Sequence, residues 1–251
     1  MNQLLTRFWK FYQDLHRRCL AAELPSDELR AEPLIALSTV AICLSLITVL
    51  ATPAWYAVTW SSAVPLEFQE LGELVHWSLV TCFFYAVVPC IVLAAQGKSI
   101  RAYGVTLQGF VRHAWIYGLM LLVMAPIVWL VSQRAAFLDC YPFHRQLTKT
   151  WTDLLIWESL YALQFCALEF FFRGFLLFSL KRYLGVYSIA VMMVPYCMIH
   201  FRKPPAEIFA SIIAGFALGT VALTTRSIWW GAALHIAVAW SMDALAIWRI
   251  S

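Results

Sequence analysis

Between Ala167 and Gly174 the chain reads A-L-E-F-F-F-R-G, so a glutamate and an arginine stand four residues apart in an otherwise apolar segment. On a helix, Glu169 and Arg173 share one face, a turn apart. An ionisable residue inside a membrane span costs roughly 2.5–3.5 kcal/mol on insertion scales, so a carboxylate there needs a partner and marks a functional site by default. Two imidazoles recur in the same half of the chain: His200 closes I-A-V-M-M-V-P-Y-C-M-I-H, and His235 lies within W-W-G-A-A-L-H-I-A-V-A-W. A carboxylate shielded from water can act as a general base, and an imidazole can share the water or donate to a developing oxyanion. This set suits hydrolysis of a peptide bond inside the membrane. No G-x-S-x-G, H-E-x-x-H or G-x-G-D occurs in the spans, so the serine, zincin and aspartyl routes lack their signatures.

Each residue also has a structural reading. Glu169 and Arg173 can form an intrahelical ion pair that merely lets both be buried, and either histidine alone can be a satisfied core residue. Two further acids are candidate supporting residues. Glu207 follows the prolines of H-F-R-K-P-P-A-E, where it can also simply open a helix, and Asp243 can orient His235 or Arg249. Glu169, His200 and His235 would together supply three ligands to a catalytic zinc. They come from three different spans without an i, i+4 pair, so no cofactor is expected and zinc is the alternative.

These residues need a scaffold, and composition names it. The 251 residues are 62% hydrophobic and 13% charged, against a soluble norm of about 45–50% and 25%. The expected fold is an all-α polytopic membrane helix bundle of one transmembrane domain, residues 33–251, preceded by an N-terminal amphipathic segment, residues 1–32. In that segment Leu4, Leu5, Phe8, Trp9, Tyr12, Leu15 and Cys19 recur at helical spacing between Arg7, Lys10, Arg17 and Arg18. That pattern reads as an interfacial helix lying on the membrane, or equally as a helix packed on the bundle. A cleavable leader is not expected, because the first long apolar run starts only near Pro33 and is too long for one. Seven scattered cysteines without a C-x-x-C pair read as packing thiols. The net charge of +4 is spread through loops, which excludes a nucleic-acid partner. Membrane lipids and a protein or peptide substrate, lipidated or not, are the expected partners.

Hydropathy predicts about seven transmembrane helices, near 34–60 (with Pro53 as a kink or end), 74–95, 111–131, 151–180, 186–201, 206–224 and 228–250. The segment 132–150 is the longest interior loop, and the last three spans are joined by very short connections that make them antiparallel neighbours. With the N-terminus inside, one side carries Arg7, Lys10, Arg17, Arg18, Arg30, Lys98, Arg101, Arg112, Lys181, Arg182 and Arg226. The other carries Arg134, Arg145, Lys149, Arg202, Lys203 and Arg249. The excess favours a cytoplasmic N-terminus, and a bacterial plasma membrane is the expected setting. Counted at 1.5 Å per residue, Glu169, His200 and Asp243 then fall at one depth, about 18–22 Å in, with His235 at about 10 Å. Ser211, Gly215 and Gly219 form a small-residue ridge that would draw helices close.

The stretches L-E-F-F-F-R-G-F-L-L, Y-C-M-I-H, A-G-F-A-L-G and W-W-G-A-A-L-H resemble, in order and spacing, the motifs of the CPBP family, the CAAX prenyl endopeptidases and bacteriocin-processing proteins. The resemblance covers residues 151–243. It implies a multi-span intramembrane protease, of a family long classed as metalloproteases and now thought to activate water with glutamate and histidine. Carried over, it makes Glu169 and His200 the water-activating pair, His235 the oxyanion side and Arg173 an orienting partner. Two positions depart from the family pattern: Leu168 stands where a first glutamate is usual, and Ala239 where an asparagine is. The departures keep open a second class of function, a catalytically silent relative acting as a binding, immunity or scaffold protein. A proton-coupled transporter would also use buried Glu and His, but no inverted repeat accompanies them here.

Overall fold

The computed structural model describes residues 2–20, 31–107, 110–142 and 151–250, and among them every regular element is helical. Arg30, Arg145 and Lys149 of the charge count, and residues 143–150 of the expected long loop, lie outside the described residues. The N-terminal segment forms α1 (Asn2–Cys19). Its far half anchors on the bundle through Leu15, which is buried, through Tyr12 Oη at 3.0 Å from Thr220 Oγ1, and through the Val186 N–H donating to His16 Nδ1 at 3.3 Å. Leu4, Leu5, Phe8 and Trp9 remain exposed, as an interfacial helix requires.

Among the described residues six helices are long and apolar enough to cross a bilayer: α2 (Ala31–Leu50), α4 (Leu66–Ala95), α5 (Val111–Ser132), α6 (Trp151–Leu184), α8 (Pro205–Thr225) and α9 (Trp229–Ile250). Pro53 opens the short helix α3 (Pro53–Thr59), with Thr52 accepting from the Trp55 N–H at its start, so the first expected span ends at Leu50. The protein is an integral, multi-pass membrane protein. The expected span 186–201 appears as α7 (Tyr187–Met198), whose 12 residues rise about 18 Å, short of the roughly 30 Å core. Beyond Met198 the backbone tightens into three-residue turns, and Pro204–Pro205 starts the return in α8.

The central element is α6. In its most apolar window 83% of residues are buried, against 11–39% in the other five long helices, so those five form the lipid-facing wall around it. Directly after Glu169 the helix widens into a π segment, Phe170–Leu176, every residue of which is buried. A matching π segment, Phe83–Val87, interrupts α4 just before Pro89, whose missing N–H removes a helical bond from that turn. The two wide segments meet where Tyr85 packs on Phe171 and Phe172, with ring centroids 4.7 and 5.9 Å apart. Gly174 lets this turn approach the loop before α5: a Cβ there would lie 2.8 Å from the Tyr103 carbonyl oxygen.

The small-residue ridge of α8 does bring α7 close. A Cβ on Gly215 would sit 3.2 Å from the Tyr196 ring, and one on Gly219 would sit 3.0 Å from both Ile189 and Met192. On the face that carries the start of α2, Glu32 gathers four partners. It accepts from Tyr103 at 3.0 Å and Tyr183 at 2.8 Å, pairs with Lys98, and lies 3.9 Å from Arg182. This clasp ties α2, the loop after α4 and the end of α6 into one end of the bundle.

Candidate active site

Glu169 is the last residue of regular helix before the π segment of α6, and its carboxylate points to α9. Oε1 lies 3.0 Å from Arg173 Nη1 and 2.9 Å from His235 Nδ1. Neither contact meets good hydrogen-bond angles, so charge holds the Glu169–Arg173 pair and His235 stands at contact distance from the same carboxylate oxygen. The Glu169 and Arg173 side chains are 1% and 0% exposed, the His235 side chain 19%. His235 thus meets Glu169 directly, although helix counting left it short of that depth.

Two glycine and aromatic neighbours explain how the carboxylate fits. Gly231 stands four residues before His235 on α9, on the same face. A Cβ there would overlap Glu169 Oε2 and come within 3.0 Å of Cδ, so the glycine leaves the recess the carboxylate fills. Phe165, one turn before Glu169 on α6, stacks flat on the His235 imidazole at 5.4 Å and 6°. Gly231→Ala is expected to displace the carboxylate from His235 and cut activity about 10²-fold, since a shift near 1 Å at a catalytic group costs that much. Alanine is the better helix former by about 1 kcal/mol, so folding should survive. Activity and thermal unfolding of the purified variant check this together, and full activity would show that Glu169 need not sit where it does.

His200 lies in the turn between α7 and α8, outside the six long apolar helices. Its Nδ1 donates to the Tyr196 carbonyl at 2.8 Å, which leaves the Nε2 lone pair as the base. Burial lowers its pKa to about 4, so the ring is neutral at physiological pH. His200 and Glu169 are joined through Tyr196 rather than by contact. The tyrosine hydroxyl lies 3.0 Å from His235 Nε2, its ring centroid 4.9 Å from that of His200, and the Arg173 guanidinium covers its face at 3.8 Å. Sequence reading passed over Tyr196 and Gly231. Both stand four residues before a candidate histidine, in Y-C-M-I-H and G-A-A-L-H, and that spacing was the available signal.

Residues 150–241 match the model of the Rce1-like type II CAAX prenyl endopeptidases. That segment runs from α6 to the middle of α9 and contains all four residues of the Glu169, Arg173, His200 and His235 set, consistent with a CPBP-family protease. No curated protein and no solved structure matches the chain. The two positions that depart from the expected motifs are core: Leu168 packs in the main apolar cluster, and Ala239 is buried against Trp157 and Tyr161.

Asp243 and Glu207 sit elsewhere. Asp243 accepts from Trp157 Nε1 at 3.0 Å, and Glu207 accepts from the Tyr141 hydroxyl at 3.0 Å. Trp157 is twelve residues before Glu169 on α6, about 18 Å along the axis, so the expected common depth of Glu169 and Asp243 is corrected. The error came from counting inward from the end of α6, whose 34 residues far exceed one membrane crossing. Arg249 donates to the Ser132 carbonyl. Among the described residues no group of three His, Cys, Asp or Glu side chains is arranged to hold a metal ion. The zinc set does not fit at His235, which has Glu169 at one ring nitrogen and Tyr196 at the other.

Proposed function

We propose that the chain is an intramembrane endopeptidase of the CAAX type, hydrolysing a peptide bond with water activated by its glutamate and histidines. The observation that carries this reading is the buried contact of Glu169 with His235, neutralised by Arg173, inside the segment similar to Rce1-like endopeptidases. A single carboxylate that only had to balance Arg173 would not need an imidazole at 2.9 Å or a glycine recess to reach it. In the proposed reaction His200 Nε2 takes the proton from water, and Glu169 orients His235 from one ring nitrogen while Tyr196 Oη meets the other, as an acid orients the imidazole of a triad. Arg173 balances the carboxylate's charge at 3.0 Å and holds it in place.

The similarity supports a prenylated or other lipidated C-terminus as the substrate class, with peptide precursors as the neighbouring class. With the N-terminus inside, the Glu32 face is cytoplasmic, and a bacterial plasma membrane is the proposed location. The test is incubation of the purified protein in lipid nanodiscs with a farnesylated peptide ending in a C-A-A-X sequence, reading release of the C-terminal tripeptide. A proteomic comparison of cells with and without the protein would extend it to natural substrates. Release is also expected to persist in zinc chelator. Loss in chelator with rescue by added zinc would overturn the metal-free mechanism.

A silent relative acting as a binding or scaffold protein is the second reading, favoured by one observation. Both Glu169 oxygens are closed in, one by Arg173 and His235 and the other by Gly231, while Leu168 offers no second carboxylate. Absence of cleavage in both the peptide assay and the proteome would select it.

A further inference from the structure

Tyr196 is 1% exposed, and each of its polar or π features is turned to one of the charged or basic residues of the site. Burying a tyrosine requires a partner for its hydroxyl, and any acceptor would serve. Here the partner is His235 Nε2 at 3.0 Å, the ring nitrogen opposite the one that faces Glu169. The Arg173 guanidinium at 3.8 Å from the ring centroid would favour negative charge on the phenol. The tyrosine's own carbonyl holds His200 at 2.8 Å, so the hydroxyl and the proposed base are fixed to one residue. Gly215 of α8 fixes the ring from behind. The part-exposed His235 thus stands beside the phenol oxygen, and the His200 ring lies 4.9 Å from the tyrosine ring.

We infer that the Tyr196 hydroxyl is the proton donor to the leaving nitrogen in peptide-bond hydrolysis at this site. The inference rests on the endopeptidase reading and completes its proton balance. As water attacks, its oxygen bonds to the carbonyl carbon and one of its protons passes to His200 Nε2. As the C–N bond breaks, its electron pair stays on nitrogen, which takes the phenolic proton. The phenolate, steadied by Arg173, then recovers a proton from the His200 imidazolium, and acid and amine leave with both groups restored. An amide nitrogen cannot depart without a proton, so such a donor contributes typically 10²–10⁴-fold.

The test is Tyr196→Phe, which keeps the ring, its packing and the guanidinium contact. Two probes are compared in nanodiscs: the farnesylated C-A-A-X peptide, and the matching peptide ending in S-farnesylcysteine 4-nitrophenyl ester, whose leaving group departs without a proton. Amide cleavage is expected to fall about 10²-fold or more in kcat with KM little changed, while ester cleavage stays near wild type. Equal losses on both probes, or none on the amide, would overturn the donor role and leave the endopeptidase reading standing. A wild-type protein that cleaves neither probe would overturn both together.

Discussion

Glu169→Gln is expected to lower cleavage of the farnesylated peptide by on the order of 10²–10⁴-fold per folded molecule. The amide keeps the shape of the side chain but loses the charge that sits 2.9 Å from His235 Nδ1, and with it the hold on the imidazole. It also strands the Arg173 charge, 0% exposed, without a counter-ion, so the folded fraction must be measured alongside the rate. Glu169→Asp separates the two effects. It retains the charge and shortens the reach by one methylene, so stability should stay close to wild type while activity falls about 10²-fold. A Gln variant with wild-type turnover would remove Glu169 from the chemistry. Combining Glu169→Gln with His235→Ala should cost little beyond the worse single change, because groups acting as a unit are not additive.

What the sequence made legible was whatever is local along one helix. The pairing of Glu169 with Arg173 follows from a four-residue spacing in an apolar run, and six of the expected spans follow from hydropathy because backbone in lipid must satisfy itself. What stayed hidden depends on how one helix registers against another. The recess at Gly231 exists only because α9 lies alongside the end of the regular part of α6, and nothing in W-W-G-A-A-L-H says which side chain fills it. Tyr196 reads as one more apolar-run aromatic until α8 presses α7 against Arg173. The Glu32 clasp joins residues up to 151 positions apart, beyond any spacing rule. The depth of Asp243 was misread because depth counting assumes that each helix starts at a membrane face, and α6 is too long for that.

Arg173→Met is expected to cost about 3–5 kcal/mol of stability, the penalty for breaking a buried ion pair from one side. The arginine is the nearest cation to Glu169, at 3.0 Å, and both side chains are sealed from solvent, so no water can replace it. Methionine fills much of the same volume and can still lie on the Tyr196 ring, which isolates the loss of charge from the loss of packing. Arg173→Lys should fall between, since an ammonium restores the charge but not the flat guanidinium cover of the ring. The decisive variant is the double change Glu169→Gln, Arg173→Met. With both charges gone there is no stranded ion, so stability should return to within about 1–2 kcal/mol of wild type, because well-packed neutral replacements of a buried pair are often neutral or better. Activity should remain absent, because His235 has lost its carboxylate. Unfolding of the four proteins in detergent gives the coupling directly. If the two single losses simply add in the double variant, Glu169 and Arg173 are not holding each other, and the charge arrangement on which the proposed chemistry depends is not present in the folded protein.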